Sequence, residues 1–198
     1  RAVSSVADVQ AAVADAAAHG WSVRTAGTTH SHSDVLHTDG GLVLLTDGLG
    51  GPPVVEAGLS QARIPGGTKL HAIGPPLWEA GFSLANQGDV DVQSVAGLVG
   101  TGVHGTGRSL RSISDSVVGA TIVTANGDIL STDDDADLLE AARLNLGALG
   151  VVVDLTFRLL PAYHLHERSW SEDLAPIMER LDELTMATRH FEFFWYPV

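Results

Sequence analysis

A short polar loop carries side chains that could bind a ligand or a metal ion. Residues 27–33 read GTTHSHS and follow an alternating segment at 21–26 that predicts a strand. Loops at the carboxyl ends of strands are common ligand sites. If the loop is extended, His30 and His32 point the same way, and His104 or Asp34 could complete a metal site. No spacing of an established metal motif supports this, so an exposed loop is the alternative.

A glycine-rich loop is the second candidate site. Residues 100–105 match G-x-G-x-x-G, the pattern that binds a pyrophosphate when it joins a strand to a helix. The segment at 108–115 has no helical stripe, and Asp128, the candidate ribose-binding acid, follows a predicted hairpin turn. Three interpretations stay open: a dinucleotide-binding turn, a loop whose backbone N–H groups bind an anion, and a structural turn.

Composition excludes several classes of protein. The chain has 198 residues, 44% of them hydrophobic, a formal net charge of −13 and a single lysine, Lys69. This hydrophobic content is enough for a packed core, whereas a nucleic-acid-binding face would need clustered basic residues. The absence of cysteine excludes disulfides, thiolate metal sites and a cysteine nucleophile. We expect a cytoplasmic protein without a membrane span.

Residues 1–57 predict a small unit of one helix and two strands. Apolar residues recur at helical spacing over 6–19, Ser5 is a candidate N-cap, and Gly20 stands where a helix would end. The segments 21–26 and 42–46 are predicted strands. The polar loop at 27–33 then lies between these two strands.

Residues 58–161 predict a second unit. Helices are expected at 68–80, where Pro75 and Pro76 must distort the helix, and at 137–146. A short strand is expected at 82–85, and a long, β-branched strand at 151–160. Segments 117–124 and 128–131 predict a hairpin because Asn126-Gly127 between them is a strong hairpin signal.

Residues 162–198 differ in character from the two units before them. A helix is predicted over 172–189 with Ser171 as its cap, followed by a strand in the aromatic run at 191–197. Such an apolar run is unusual at an exposed terminus, and the chain starts with Arg1 instead of methionine. We therefore expect an incomplete polypeptide.

Five motifs in order resemble the FAD-linked sugar-lactone and alditol oxidases, a family that includes L-gulono-1,4-lactone, D-arabinono-1,4-lactone and alditol oxidases. The motifs are GTTHSHSD with TDG, NQGD, SVAG, TGVHGTG and GALGVV, at residues 27–34 with 38–40, 86–89, 94–97, 101–107 and 147–152. The resemblance spans nearly the whole chain. It implies an α+β fold: a two-subdomain FAD-binding domain of the vanillyl-alcohol-oxidase (PCMH) type at 1–57 and 58–161. The start of a substrate (cap) domain would follow at 162–198.

The resemblance also implies which residues bind FAD. His30 matches the histidine that is bonded covalently to the flavin 8α-methyl carbon. Backbone N–H groups around it would wrap the pyrophosphate, and the hydroxyls of Thr28 and Thr29, where small residues are usual, could also donate to phosphate. The cofactor-binding set is Thr25, Ala26, Gly27, Thr28, Thr29, His30, Ser31, Gly88, Ser94, Gly97, Thr101, Gly102, Val103, His104, Val151 and Val152.

The same resemblance implies an oxidase. Gly88 matches a position beside the flavin where alanine shields the cofactor from oxygen and glycine admits it. Asp89 matches a substrate-contacting position that is serine in alditol oxidase, which favours a lactone. The expected reaction transfers hydride from a hydroxyl-bearing carbon of an aldonolactone to flavin, with oxygen reduced to hydrogen peroxide. The family's catalytic groups lie in the substrate domain and in a His-Trp-x-Lys motif that this sequence lacks.

Three other functions stay open. A flavin-dependent aldonolactone or alditol dehydrogenase would use the same site with another electron acceptor. A metal-dependent hydrolase would use His30, His32 and His104 as ligands. A non-catalytic flavin-binding module would retain the cofactor without turnover. No metal is expected in the preferred interpretation.

Overall fold

The first element of the fold is the N-terminal helix that the sequence predicts. The computed structural model describes residues 1–197, and α1 spans Val6–His19. Ser5 Oγ accepts the Asp8 N–H at 3.1 Å, and Gly20, with φ of +66°, donates to the carbonyls of the last turn. These are the N-cap and the left-handed C-cap of a regular helix. The prediction is therefore confirmed at both ends.

Nine strands and five further helices follow α1 within residues 1–197. The strands are β1 Val23–Ala26, β2 Leu42–Leu45, β3 Val54–Glu56, β4 Gln61–Pro65, β5 Phe82–Ser83, β6 Val117–Val123, β7 Ile129–Ser131, β8 Val151–Arg158 and β9 Leu160–Pro161. The helices are α2 Gly74–Glu79, α3 Val95–Gly100, α4 Ala136–Ala142, α5 Leu174–Glu179 and α6 Leu181–Ala187.

Strands β1 and β2 form a parallel pair, with Ala26 opposite Leu45. Parallel pairing brings the carboxyl ends of both strands to the same edge. The loop at 27–33 therefore emerges beside Thr46, whose N–H donates to the Ala26 carbonyl at 3.0 Å. This edge is where the candidate site forms.

An antiparallel five-stranded sheet forms the larger unit, in the order β3-β4-β8-β6-β7. The predicted hairpin is confirmed, because β6 and β7 pair around a turn in which Gly127 has φ of +82°. The long strand predicted at 151–160 is the central β8, followed by the short β9. β9 pairs with β5, so the chain passes from the central strand to a small separate ladder.

Two predicted helices of this unit are shorter in the structure. The segment 68–80 contains a 3₁₀ turn at Leu70–Ala72 and then α2, because Pro75 and Pro76 fit only the first turn of a helix. Helix α4 is capped by Asp135, whose carboxylate accepts the Leu138 N–H at 2.8 Å, and it ends before Leu146. Leu146 has φ of +49°, which does not continue a helix.

The C-terminal predictions need correction. The single helix predicted over 172–189 is wrong, since α5 and α6 are separate helices that meet at Arg180, where φ is −110°. Asp173, not Ser171, is the residue that precedes α5. Residues 190–197 form no strand and pair with none of the described strands, so the strand predicted at 191–197 is wrong.

The core consists of two packed clusters. The larger one lies between the five-stranded sheet and helices α2 and α3, and includes Phe157, Leu155, Ile64, Leu77 and Leu98. The second packs α1 and β2 against the ends of β6 and β8 and includes Val9, Val13, Leu44, Val123 and Val151. This second cluster fixes the β1–β2 pair relative to the start of β8. Within residues 1–197, no helix is both long and apolar enough to span a membrane.

Candidate functional site

A cleft opens at the carboxyl ends of β1 and β2, between α3 and the start of β8. It is formed by three stretches that are far apart in sequence: the loop at 27–31, the start of α3 with the residues before it, and the turn at 145–152. The predicted residues that line it are Thr25, Gly27, Thr28, Thr29, His30, Ser31, Ser94, Gly97, Thr101, Val151 and Val152.

The loop after β1 lies directly against the residue that precedes α3. A Cβ atom built on Gly27 would overlap Ser94 Oγ, so only glycine allows this approach. Ser94 is buried, and the first amides of α3 are tied to a neighbouring turn: Val95 N–H donates to Thr68 O and Ala96 N–H to Gly66 O, each at 2.9 Å. These backbone hydrogen bonds hold the start of α3, which faces Gly27, in a fixed position.

Hydrogen bonds fix Thr28 within the loop. Its Oγ1 donates to the Val92 carbonyl at 2.6 Å and accepts from Lys69 Nζ at 2.7 Å. Because a hydroxyl has one proton, Thr28 cannot donate to a phosphate in this arrangement. The expected phosphate bond from this hydroxyl therefore needs correction.

Thr29 has a left-handed backbone, with φ of +55°. For a β-branched residue this conformation is an outlier, and such strain concentrates at functional sites. The strain lies immediately before His30, which is exposed and lines the cleft. Sequence spacing could not reveal it, although glycine would be the natural residue for this backbone.

The histidines do not form a metal centre. The rings of His30 and His32 meet edge to face with centroids 6.1 Å apart, and only His30 lines the cleft. His104 is exposed, lies outside the cleft lining and contacts Gly105 O through Nδ1 at 3.1 Å. Among residues 1–197 no three His, Cys, Asp or Glu side chains group as metal ligands. The hydrolase hypothesis therefore has no ligand set there.

The glycine loop at 100–107 does not have the Rossmann arrangement. It begins at the end of helix α3, not at the end of a strand, and Gly102 with φ of +69° starts a turn. The Rossmann interpretation is therefore wrong. Thr101 reaches the cleft, whereas Gly102, Val103 and His104 lie beyond its lining.

A second group of predicted residues meets beyond the end of α3. Gly88 is buried, and a Cβ on it would lie 2.8 Å from Val103 Cγ1 and 3.6 Å from His104 O. Asp89 beside it is exposed. Neither residue lines the cleft. Ala26, the remaining predicted residue, is buried beneath the loop as the last residue of β1.

Several cleft residues escaped the sequence analysis. Gln93 lines the cleft, and its Oε1 is buried without a hydrogen-bond donor among residues 1–197. Thr46 also lines the cleft, whereas the sequence identified it only as the last residue of the predicted strand 42–46. Asn145 shapes the opposite wall, where its Nδ2 donates to Ala142 O at 2.7 Å and its Oδ1 accepts the Gly147 N–H at 2.6 Å. Its role depends on tertiary placement that no local pattern encodes.

Comparison with known proteins identifies the family. The family model described as "FAD binding domain" matches residues 1–133. The chain belongs to the FAD binding domain family. A second model, described as "D-arabinono-1,4-lactone oxidase", matches residues 155–198. Both the expected family resemblance and the expected α+β fold are thereby confirmed.

Named relatives agree with this family. An L-gulono-1,4-lactone dehydrogenase of Mycobacterium tuberculosis is 40% identical over 98% of this chain and 45% of its own length. An L-gulonolactone oxidase of Bos taurus is 32% identical over 98% of this chain and 44% of its own. The crystal structure of 6-hydroxy-D-nicotine oxidase from Arthrobacter nicotinovorans superposes with a TM-score of 0.70 and 26% identity, covering 80% of this chain and 35% of that one. The chain thus spans less than half the length of these relatives.

The cleft of this member of the FAD binding domain family fits the cofactor on two structural grounds. Gly27 has no side chain, so the 27–31 loop packs directly against Ser94 and lines the cleft beside the start of α3, and successive backbone N–H groups of such a loop are what a pyrophosphate binds. Gln93 Oε1 has no donor among residues 1–197, and a hydroxyl or N–H group of the cofactor could supply one. The residues present therefore suit FAD.

Proposed function

We propose that this chain forms the FAD-binding part of an oxidase that acts on sugar lactones. It would accept hydride from a hydroxyl-bearing carbon of an aldonolactone and deliver the electrons to oxygen, giving hydrogen peroxide. The observation that carries the proposal is the meeting of the 27–31 loop, the start of α3 and the start of β8 in one cleft. The names of the lactone-oxidising relatives and of the C-terminal family model support the substrate class.

The cleft residues have distinct roles in this proposal. The backbone from Thr25 to Ser31 would hold the pyrophosphate. Ser94, Gly97 and Thr101 would contact the cofactor from α3 and its two ends. Val151 or Val152 would contact the adenosine part. When bound, FAD supplies a two-electron acceptor for hydride. The protein supplies orientation and excludes competing reactions, and the proton-accepting group remains outside the proposed set.

We further propose that His30 carries the flavin covalently. His30 is exposed and lines the cleft, and it comes directly after Thr29, whose backbone is strained. The strained backbone at Thr29 would orient His30 toward the flavin. Purified protein should be yellow, and its flavin should stay with the polypeptide after acid precipitation. Protein that is colourless and cannot take up added FAD would contradict the proposed function.

The proposal that oxygen accepts the electrons rests on Gly88. It is buried without a side chain against Val103, and Gly102, Val103 and His104 would form the flavin-contacting segment beside it. Asp89, exposed next to Gly88, would face the substrate. The C-terminal segment packs beside this region, since Arg189 Nη2 donates to Ala85 O at 2.8 Å.

A lactone dehydrogenase is the second candidate. It is favoured by one observation: the relative named a dehydrogenase is 40% identical, against 32% for the one named an oxidase. Both candidates use the same cofactor, so peroxide formation in air during lactone turnover separates them. A stoichiometric yield of peroxide supports the oxidase, whereas turnover only with an added quinone or cytochrome acceptor supports the dehydrogenase. A cytoplasmic location remains part of the proposal.

A further inference from the structure

Lys69, the only lysine in the sequence, is hydrogen-bonded to the 27–31 loop. Lys69 Nζ donates to Thr28 Oγ1 at 2.7 Å and to Asp47 Oδ1 at 2.6 Å. Thr28 belongs to the loop after β1, and Asp47 follows β2. The lysine side chain thus ties together the two segments that leave the parallel strand pair.

The backbone of Lys69 is tied to the opposite wall of the cleft. Lys69 and Ser94 form an isolated antiparallel bridge, and the neighbouring Thr68 carbonyl accepts the Val95 N–H at the start of α3. Lys69 does not line the cleft itself. Lys69 is therefore connected to the cleft by its contacts with two residues that line it, Thr28 and Ser94.

The Lys69–Thr28 contact differs from an ordinary surface ion pair. Such pairs between exposed side chains contribute little, because solvent screens them and ordering costs entropy. The Lys69 side chain is only 24% exposed, and its second partner is a hydroxyl whose own proton is committed to Val92 O. This arrangement is a chain of hydrogen bonds that runs from Asp47 through Lys69 and Thr28 to the segment at 92.

We propose that Lys69 is a positioning residue for the FAD pyrophosphate. Through Thr28 it holds the 27–31 loop in the conformation in which the loop's backbone N–H groups would receive an anion, while its own charge is paired with Asp47. This inference rests on the proposed function. It explains why threonine occupies position 28: its hydroxyl is the acceptor that links the loop to Lys69, not a phosphate donor.

The test compares FAD with riboflavin, which lacks the pyrophosphate. The full chain is prepared without flavin, and binding is measured by quenching of flavin fluorescence in a His30→Ala background that keeps binding reversible. Lys69→Met should weaken FAD binding roughly 10- to 100-fold, the range for loss of a hydrogen bond to a charged group. Riboflavin binding should stay unchanged, because it makes no pyrophosphate contact.

Further variants separate positioning from simple loss of charge or stability. Arg111→Met removes the same charge from an exposed pair with Asp115 and should leave binding of both flavins unchanged. Lys69→Arg should retain more FAD affinity than Lys69→Met. Thr28→Val combined with Lys69→Met should bind FAD no more weakly than the weaker single variant, since both changes break one connection.

The outcomes distinguish this inference from the proposed function. If the chain binds FAD and Lys69→Met binds it equally well, the inference is wrong and the proposed function stands. An equal loss of FAD and riboflavin binding by Lys69→Met would overturn the inference in favour of general destabilisation. If neither the chain nor its variants bind FAD, both fail.

Discussion

Gly88 and Val103 are in such close contact that a Cβ on Gly88 would lie 2.8 Å from Val103 Cγ1. Real Cβ atoms do not approach a carbon this closely, so any larger residue at position 88 must displace the valine. Gly88 is buried, and the contact is made between the segment after β5 and the loop after α3. The oxygen access proposed for this region therefore depends on two residues, not on the glycine alone.

Gly88→Ala should lower both stability and peroxide formation. Overpacking of a buried site costs about 1–3 kcal/mol in the free energy of unfolding, and the methyl group would occupy space proposed for oxygen. Chemical denaturation and the rate of peroxide formation under air measure the two effects. The double variant Gly88→Ala with Val103→Ala should recover stability through the space released. Unchanged stability of Gly88→Ala would contradict the described contact.

Thr29→Gly should stabilise the protein by about 1 kcal/mol, because glycine adopts the left-handed backbone without the steric cost borne by threonine. Ser60→Gly is a matched control, since Ser60 has φ of +51° and lies outside the cleft lining. Both variants should raise the melting temperature, but only Thr29→Gly should slow covalent attachment of flavin. Equal attachment rates would show that the strain at Thr29 has no part in directing His30.

Gln93→Met should have opposite effects in the presence and absence of FAD. Without FAD, the change removes a buried oxygen that lacks a donor, which stabilises the chain by about 1–3 kcal/mol. With FAD, it removes a proposed acceptor and should weaken binding. Thermal unfolding with and without added FAD tests both signs. A loss of stability without flavin would show that the oxygen is already satisfied.

Asp154→Asn should raise stability at neutral pH. Burial raises the pKa of Asp154 above its ordinary value of 3.8, and Asp133 adds to this, while the Thr121 hydroxyl and Arg63 oppose it. The folded state therefore binds this proton more tightly, so the stabilisation is full below the unfolded pKa and is lost as the pH rises through the folded pKa. Melting temperatures across this range should show a gain for Asp154→Asn at neutral pH that disappears in acid. A gain that does not vary with pH would contradict this account.

Local sequence signals predicted several elements accurately. Helix α1 and the β6–β7 hairpin are encoded by their own residues: Ser5 and Gly20 cap the helix, and Gly127 adopts the positive φ of the turn. The division into units at 57 and 161 stays a prediction. The prediction of a single C-terminal helix was wrong because the apolar spacing continues through Arg180, where the backbone is no longer helical.

The site was partly predictable for a related reason. Motif resemblance selected the 27–31 loop and the start of α3, and the structure brings them into one cleft. Gln93 and Lys69 were missed as site residues because their importance arises from contacts between distant segments, such as the 41-residue separation of Lys69 and Thr28. Neither residue type nor spacing encodes that approach.

The most direct test of the central claim is the absorption spectrum of acid-precipitated, washed protein, measured for the unchanged chain and for His30→Ala. Flavin bands should remain with the unchanged polypeptide and be absent from His30→Ala, whose native form should still bind added FAD. Flavin that stays attached to acid-precipitated His30→Ala would contradict the assignment of His30. A chain that neither contains flavin nor binds added FAD would contradict the proposed cofactor site itself.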